Sequence, residues 1–247
     1  MKTVFITGGD KGISFALAQA LGQQGWQVII SSRTTAHGQN AIRALTSAGI
    51  ENPTAITLDL NEPTSITAAI ETLTKHAPNL TLLINNAGIP GSQADSLTES
   101  MDDLRTTMQV NFFGTTQLTQ GLLPQLAKSN GRIINVTIPT APNPHWNPLA
   151  YKASKAAQNV MMQTLALDLN KQHLPVEIFS IHPGPTTTDL NGNTKLPGFH
   201  SSANVANQMS KIINDGQSHQ GQFIEIYPEL TGVSSVAKGF FAGLFKR

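Results

Sequence analysis

The sequence predicts an α/β protein with a doubly wound parallel sheet of about seven strands and helices on both faces. Short runs rich in Val, Ile and Leu alternate along the chain with longer segments of helical periodicity. The runs are apolar at nearly every position, which is typical of strands that helices cover on both sides. Because strands separated by helices pair in parallel, the alternation predicts one large parallel sheet.

Each predicted strand is a short apolar run, and each predicted helix carries an apolar stripe. The predicted strands are Thr3–Thr7, Gln27–Ser31, Thr54–Leu58, Leu80–Asn85, Arg132–Val136, Val176–Ile181 and Gln222–Ile226. The predicted helices are Ser14–Gln24, Pro63–His76, Leu104–Lys128, Leu149–Asn170 and Ala203–Asn214.

Two segments interrupt this alternation. Pro139–Pro148 contains four prolines, which predicts a constrained loop after the fifth strand. Pro183–Ser202 is rich in Gly, Pro, Thr and Asn. Its length predicts a mobile lid over a site, and we call it the lid segment.

Composition is that of an ordinary soluble globular protein. The 247 residues include 39% hydrophobic and 13% charged side chains, which predicts one packed core. We expect a single domain over residues 1–230 and an amphipathic, basic tail over residues 231–247. The tail is expected to pack on this chain or on a second subunit, with a membrane surface as the alternative. The net charge of +1, without a long basic run, argues against nucleic-acid binding.

Localisation and metal binding are predicted from absences. The N-terminal apolar run is shorter than the roughly 7–15-residue core of a signal peptide. No stretch reaches the roughly 18 apolar residues of a membrane span. We therefore expect a cytoplasmic protein. Because the chain contains no cysteine, it has no thiolate metal site, and we predict no bound metal.

A glycine-rich turn follows the first predicted strand and opens directly into a helix. The segment reads Thr7-Gly8-Gly9-Asp10-Lys11-Gly12-Ile13-Ser14. Glycines in this context let a pyrophosphate approach the helix N-terminus, where free N–H groups and the helix dipole favour an anion. The alternative is a tight strand-to-helix turn that binds no ligand.

Further motifs follow in order along the chain. Asn85-Asn86-Ala87-Gly88 follows the fourth predicted strand, Asn111 lies in the next helical segment, and Tyr151 and Lys155 form a Tyr-x-x-x-Lys pattern. Together with the glycine-rich turn, these motifs resemble the short-chain dehydrogenase/reductase family over essentially the whole chain, and its carbonyl reductase and C-factor-like branch in particular. The resemblance implies a Rossmann fold and a nicotinamide cofactor. Where the family's glycine pattern ends in glycine, this chain has Ser14, which predicts a slightly altered cofactor affinity.

The end of the second predicted strand indicates the phosphorylated cofactor. Enzymes that use NAD place an acidic residue there for the ribose hydroxyls, whereas this chain has Ser31-Ser32-Arg33. A guanidinium can pair with a 2′-phosphate, and Lys11 can add a second positive charge, so we expect NADP(H). Asp10 is an adjacent negative charge that opposes phosphate binding. The alternative is that both cations are solvated surface residues.

The resemblance also implies which side chains and main-chain groups contact the cofactor. Its acidic residue after the third strand, which contacts the adenine, corresponds to Asp59. The predicted cofactor-binding residues are Gly8, Asp10, Lys11, Gly12, Ile13, Arg33, Asp59, Leu60, Asn86, Ala87, Gly88, Tyr151, Lys155, Pro183, Gly184 and Thr188.

The predicted catalytic residues are Tyr151, Lys155 and Asn111. Tyr151 and Lys155 are four residues apart on a predicted helix and therefore share one face. A phenol with an ordinary pKa of about 10 is a poor acid or base at neutral pH, and a neighbouring ammonium favours its phenolate form. The resemblance implies that Tyr151 protonates the substrate carbonyl and that Lys155 contacts the nicotinamide ribose. It also implies that Asn111 holds a water in the proton relay.

One expected catalytic residue is missing. The family has a serine thirteen residues before the tyrosine, whose hydroxyl hydrogen-bonds the substrate oxygen, and that position is Ile138. Isoleucine cannot donate, and the loss of one such donor costs about 10²–10³ in rate. Thr137, Thr140 and His145 are alternative donors, although we expect Thr137 to pack against the sheet.

Two functions follow as alternatives. The first is an NADPH-dependent carbonyl reductase that acts on a small carbonyl or alcohol substrate. The second is a cofactor-binding regulatory or interaction protein with weak or no turnover, which Ile138 supports. The resemblance also implies a homodimer or homotetramer formed through the Leu104–Lys128 and Leu149–Asn170 helices.

Overall fold

A seven-stranded sheet forms the centre of the molecule. The computed structural model describes residues 2–92, 94–141 and 146–227. The strands are β1 (Thr3–Ile6), β2 (Gln27–Ser32), β3 (Thr54–Thr57), β4 (Leu80–Asn85), β5 (Arg132–Val136), β6 (Glu177–His182), β7 (Thr186–Thr187), β8 (His200–Ser201) and β9 (Phe223–Glu225). The central sheet has the order β3-β2-β1-β4-β5-β6-β9, and every neighbouring pair in it is parallel. The predicted fold class is confirmed.

Helices connect the strands and cover both faces of the sheet. The α-helices of the described residues are α1 (Gly12–Gln23), α2 (Thr35–Ser47), α3 (Pro63–His76), α4 (Met101–Met108), α5 (Thr115–Lys128), α6 (Leu149–Lys171) and α7 (Ser202–Ile213). A π-helical turn spans Gln109–Gly114 between α4 and α5, and a 3₁₀ turn spans Asp189–Asn191.

Side chains alternate between the two faces of the sheet, which explains the nearly continuous apolar strands. In β1, Val4 and Ile6 enter the core formed with α1, α2 and α7. Phe5 enters the core formed with α3, α5 and α6. All three side chains are fully buried. The two cores make the fold doubly wound.

The prediction of strands covered on both faces is wrong for β3. This strand lies at one edge of the sheet, and Thr54, Ala55 and Thr57 are exposed. It also ends at Thr57, one residue before the predicted end at Leu58. Polar residues are common on an edge strand, because one side of its backbone faces solvent.

Helix α2 is not among the helices whose bounds are predicted from the sequence. Its buried face consists of Gly38, Ala41 and Leu45. Thr34 caps the helix by accepting a hydrogen bond from the His37 N–H at 3.3 Å. A polar helix with such a narrow apolar stripe gives a weak periodic signal.

The prediction of one continuous helix over Leu104–Lys128 is wrong. The π-helical turn Gln109–Gly114 divides it, and both Asn111 and Gly114 are buried there. A β-carbon at Gly114 would stand 2.1 Å from the carbonyl oxygen of Leu60. The extra residue of the π-helical turn therefore accommodates a close approach between this helix and the loop after β3.

The lid segment contains short regular elements. β7 pairs with β8 in parallel, so the two ends of the lid segment are joined. Between them, Thr188 and Asn191 form a reciprocal capping box around the 3₁₀ turn. The predicted tail over residues 231–247 lies outside the described residues. Within the described residues, no helix has the length and apolarity needed to cross a membrane.

We expect Gly114→Ala to lower the free energy of unfolding by about 1–3 kcal/mol, because its new methyl group meets a main-chain carbonyl that cannot move alone. Gly121→Ala is the matched control on α5. Its methyl group would stand 2.3 Å from Ile70 Cδ1, the flexible end of a side chain. Denaturant unfolding compares the two variants. Equal stabilities would contradict the close approach at Leu60.

Candidate active site

The carboxyl ends of the parallel strands meet at one edge of the sheet. β2 lies on one side of β1 and β4 lies on the other, so the strand order reverses at β1 and β4. A reversal of this kind leaves a crevice at the strand ends, where α/β proteins bind ligands. The glycine-rich turn and the segment after β4 meet there: a β-carbon on Gly8 would stand 3.2 Å from the Ala87 Cα. We call this crevice the cleft.

The glycine-rich turn leaves the N-terminus of α1 open to an anion. Gly8 has φ +64° and Gly12 has φ +59°, conformations that favour glycine. The Gly8 N–H donates to Ser31 Oγ at 3.1 Å, and the Gly9 N–H donates to the Ser31 carbonyl at 2.8 Å. Lys11, the N-cap of α1, makes no side-chain cap hydrogen bond. The first N–H groups of α1 therefore fit a pyrophosphate.

Ser14 connects three elements beneath this turn. Its hydroxyl donates to the Thr7 carbonyl at 2.9 Å and accepts from Asn86 Nδ2 at 2.6 Å, and the side chain is fully buried. The Thr7 hydroxyl accepts in turn from the N–H groups of Asn86 and Ala87, each at 3.0 Å. The serine that departs from the family's glycine is thus a structural connection between α1, β1 and β4.

The lid segment reaches the glycine-rich turn through an ion pair. Lys11 Nζ lies 3.0 Å from Asp189 Oδ2. A hydrogen bond from Asn193 and the ion pair with Lys11 lower the pKa of Asp189. Thr188 lies beside the turn as well, since its Cγ2 is 3.8 Å from where a β-carbon of Gly12 would stand. The predicted phosphate-binding lysine is therefore already paired with the lid segment.

Three further charged or ionisable residues lie near the end of β2. Arg33 is exposed and forms no ion pair with any residue that the structure describes. Asp10 Oδ2 lies 3.9 Å from His37 Nδ1 in the first turn of α2. His37 is not among the predicted site residues. It lies beside Asp10, the residue whose negative charge opposes phosphate binding.

Most of the remaining predicted cofactor residues lie in the loops that follow the strands, whereas Ile13 lies in the first turn of α1. Asp59, after β3, accepts a hydrogen bond from the Asn61 N–H at 2.9 Å. Gly184, after β6, has φ +72°, and a β-carbon there would stand 2.9 Å from Tyr227 Cδ2. The buried members of this set are Ile13, Leu60, Pro183 and Gly184.

Tyr151 and Lys155 lie together on one face of α6. Lys155 Nζ is 5.7 Å from the centroid of the Tyr151 ring, and only 7% of Tyr151 and 2% of Lys155 is exposed. Lys155 Nζ donates to the carbonyl of Val136, the last residue of β5, at 2.9 Å. The ring of Trp146 meets the Tyr151 ring edge-on, with centroids 5.3 Å apart. The predicted proximity of the two residues is observed.

Burial sets the protonation of this pair. It raises the pKa of Tyr151 to about 12 and lowers the pKa of Lys155 to about 8. Both shifts favour the uncharged side chain. Lys155 therefore does not convert Tyr151 to the phenolate in this structure, because burial raises the pKa of the phenol. At neutral pH Tyr151 holds its proton, and most Lys155 side chains are ammonium ions.

The side chain of Asn111 is fully engaged with neighbouring groups. Its Nδ2 donates to the Ile89 carbonyl at 2.9 Å and to Ser154 Oγ at 3.0 Å. Its Oδ1 accepts from the Ile89 N–H at 2.8 Å. The main-chain carbonyl of Asn111 accepts from Gln158 Nε2 at 2.6 Å. Asn111, which the resemblance assigns to a relay water, thus bonds side chains of α6 through its amide and through its main-chain carbonyl.

Gln158 was not predicted as a site residue. Its Oε1 accepts from Lys155 Nζ at 3.0 Å, so it bonds both the lysine and the Asn111 carbonyl. Sequence reasoning had a signal for it: Gln158 lies seven residues after Tyr151 and three after Lys155, on the same helix face.

The position of the missing serine carries no hydroxyl, and its neighbour does not replace it. Thr137 is fully buried, and its Oγ1 donates to Asn159 Oδ1 at 2.7 Å. Asn159 Nδ2 donates to the Ile138 carbonyl at 3.0 Å. The Thr137 hydroxyl therefore packs against α6. Thr140 is exposed, and His145 lies outside the described residues.

A family profile described as short chain dehydrogenase matches residues 2–197. The match contains the glycine-rich turn, the segment after β4 and the Tyr151–Lys155 pair, and it ends within the lid segment. It therefore covers every predicted catalytic and cofactor-binding residue.

Two relatives show how far the similarity extends. 17-beta-hydroxysteroid dehydrogenase type 2 of Homo sapiens is 31% identical over 196 residues, which are 78% of this chain and 49% of that protein. Short-chain dehydrogenase anuI of Penicillium roqueforti is 31% identical over 205 residues, 76% of this chain and 80% of that protein. This chain thus spans about half the length of the steroid dehydrogenase.

Solved structures share the fold. A short chain dehydrogenase from Burkholderia cenocepacia in complex with NADP superposes with a TM-score of 0.77 at 25% identity, over 91% of this chain and 95% of that chain. L-sorbose reductase from Gluconobacter frateurii, complexed with NADPH and L-sorbose, superposes with a TM-score of 0.79 at 22% identity, over 91% of this chain and 94% of that chain.

We expect Ser14→Ala to lower the free energy of unfolding by about 1–3 kcal/mol, because it leaves the Asn86 amide and the Thr7 carbonyl without their buried partner. Ser47→Ala is the matched control: Ser47 is exposed, and its hydroxyl donates to the Arg43 carbonyl at 2.8 Å, a bond that water can replace. Thermal and denaturant unfolding measure both. A loss no larger at Ser14 than at Ser47 would refute the structural role.

Proposed function

The chain belongs to the short-chain dehydrogenase/reductase family, and from this premise we propose that it is an NADPH-dependent oxidoreductase acting on a small carbonyl or alcohol substrate. The observation that carries the proposal is the pair of Tyr151 and Lys155, buried together beside the cleft. Members of the family are oxidoreductases that act on small molecules. The carbonyl reductase branch stays a prediction, and so does the single domain over residues 1–230.

The protonation of the pair favours reduction of a carbonyl. A neutral Tyr151 holds a proton at Oη that it can give to an oxygen which gains negative charge. The Lys155 ammonium then stabilises the phenolate that remains. When bound, the nicotinamide supplies the hydride. The oxidation of an alcohol needs the opposite state of Tyr151, which burial disfavours.

The phosphorylated cofactor is supported by charge. Arg33 is exposed at the end of β2, and Lys11 lies within the glycine-rich turn, where a 2′-phosphate would replace Asp189 as its partner. The end of β2 carries no carboxylate for ribose hydroxyls. The Burkholderia cenocepacia relative is itself in complex with NADP.

A homo-oligomer is proposed on the basis of exposed apolar side chains. Phe113, Val160 and Leu167 are 55%, 61% and 71% exposed. They lie on the π-helical turn and on α6, in the two helical regions for which the sequence predicts subunit contacts. Large exposed apolar residues on neighbouring helices favour a protein interface.

The second candidate is a cofactor-binding protein of the same fold with weak or no turnover. Two observations favour it: Ile138 has no donor, and the Thr137 hydroxyl is committed to Asn159. Of Tyr151, Thr137 and Ile138, Tyr151 is then the residue whose side chain can donate a hydrogen bond to the substrate oxygen. Cofactor binding alone, without hydride transfer, would suit a regulatory or interaction role.

We expect NADPH oxidation with a panel of ketones and aldehydes, and we expect Tyr151→Phe to abolish it because the proton donor is lost. Tyr227→Phe is the matched control, since the chain contains two tyrosines. Ile138→Ser restores the missing donor, and its effect separates the two candidates. A change in rate of less than about tenfold means that another group already supplies the donor. One such donor contributes about 10²–10³ in rate. Turnover that is detected only in Ile138→Ser would therefore favour the cofactor-binding protein.

We expect the rate of carbonyl reduction to fall as the pH rises through the pKa of Lys155, about 8. Above that pH the lysine is uncharged and no longer stabilises the phenolate, whereas Tyr151 keeps its proton up to about pH 12. A profile of kcat/KM for the carbonyl substrate between pH 6 and about 10 measures this fall, the alkaline limb of the profile. Lys152→Met, which removes the neighbouring lysine of α6, should leave the limb in place. A flat profile, or a limb that moves in Lys152→Met, would contradict the assignment.

A further inference from the structure

Gln158 lies buried between two elements of the site and uses every polar atom of its side chain. It is 0% exposed. Oε1 accepts from Lys155 Nζ at 3.0 Å, and Nε2 donates to the Asn111 carbonyl at 2.6 Å. Rotating the amide by half a turn would place N–H groups against the ammonium and an oxygen against the carbonyl. The network therefore fixes the orientation of the amide.

Lys155 is held by acceptors from two elements. Its ammonium donates to the Val136 carbonyl at the end of β5 and to Gln158 on α6. An ammonium has three N–H bonds, so one remains for a ligand in the cleft. Tyr151 is the titratable side chain in contact with it among the described residues. The groups that face the ammonium from β5 and the π-helical turn are uncharged.

We propose that Gln158 is a positioning residue, whose amide holds the Lys155 ammonium against the π-helical turn and itself makes the connection expected of a relay water. The proposal rests on the proposed function, because positioning matters only if Lys155 assists Tyr151. It goes beyond that function by adding a residue outside the predicted catalytic set and by changing the route of the proton.

The route follows from the chemistry of an amide. In reduction, the Tyr151 O–H bond breaks and the proton forms the O–H bond of the product alcohol. The phenolate then takes a proton from the Lys155 ammonium, and the neutral amine must take one from solvent water. A carboxamide N–H does not release its proton near neutral pH, so Gln158 cannot pass a proton from the Asn111 side. Lys155 is therefore reprotonated by water that enters from the cleft.

Two variants of Gln158 separate its acceptor from its donor. Gln158→Leu removes both hydrogen bonds at nearly constant volume. Gln158→Glu is isosteric, keeps an acceptor for Lys155 and adds a negative charge, and it serves if the leucine variant does not fold. Gln125→Leu is the matched control. Gln125 is also a buried glutamine whose amide donates to main-chain carbonyls, those of Ala77 and Leu73, but it does not contact Lys155.

The first measurement needs no turnover. NMR titration of protein with ¹³C-labelled lysine ε-carbons, with Lys155→Met identifying the signal, gives the titration midpoint of Lys155 in the cofactor-free protein. We expect Gln158→Leu to lower the midpoint by about one pH unit, because the ammonium loses an acceptor. Gln158→Glu should raise it, because a carboxylate favours the ammonium. Gln125→Leu should leave it unchanged.

The second measurement compares binding with turnover. We expect Gln158→Leu to lower kcat at least about tenfold and to move the pH limb of reduction in the same direction as the NMR midpoint, with the Kd of NADPH nearly unchanged in a fluorescence titration. Gln158→Glu should recover part of kcat. An unchanged Lys155 midpoint in both Gln158 variants, or an equal shift in Gln125→Leu, would overturn the proposal. Shifted midpoints in a protein that reduces no carbonyl would confirm that Gln158 positions Lys155 and would overturn the proposed function.

Discussion

The arrangement of the site depends on one buried positive charge. An ammonium in the interior is stable only if oxygen acceptors replace its hydration, and Lys155 finds them at Val136 and Gln158. Val136 is available because β5 ends there. Gly88 is small enough to pass close by: a β-carbon on it would stand 2.9 Å from Asn111 Oδ1 and 3.8 Å from Lys155 Nζ. The same buried charge thus depends on three features: the end of β5, the π-helical turn and the small residue Gly88.

Sequence reasoning succeeds for the elements whose signal is local. Buried strands are continuous apolar runs, and α1, α3, α6 and α7 carry clear stripes, so their ends are predicted to within a few residues. It fails where tertiary contacts decide. α2 is polar apart from a narrow stripe, and the π-helical turn exists because Gly114 must approach the Leu60 carbonyl, a contact that helical periodicity does not contain.

The candidate site divides in the same way. Tyr151 and Lys155 are found from their spacing on one helix, and the glycine-rich turn is found from its place after a strand. The hydrogen bond from the Asn86 amide to Ser14 and the one from Gln158 to the Asn111 carbonyl join residues 72 and 47 positions apart. No local pattern reports such pairs. The protonation of Tyr151 also escapes prediction, because it is set by the depth of burial rather than by the neighbouring lysine.

The ion pair between Lys11 and Asp189 joins the lid segment to the glycine-rich turn, where the proposed function places the cofactor phosphate. Both side chains are more than half exposed, at 58% and 52%, and an ion pair of this kind contributes about 0–1 kcal/mol. A cofactor phosphate that recruits Lys11 must displace the Asp189 carboxylate, and a departing cofactor returns the lysine to it. Under the proposed function, binding and release of the cofactor would then exchange one anion for another at Lys11. Salt screens both of these exposed charge pairs. Ionic strength should therefore affect cofactor binding more than proton transfer at the buried Tyr151 and Lys155.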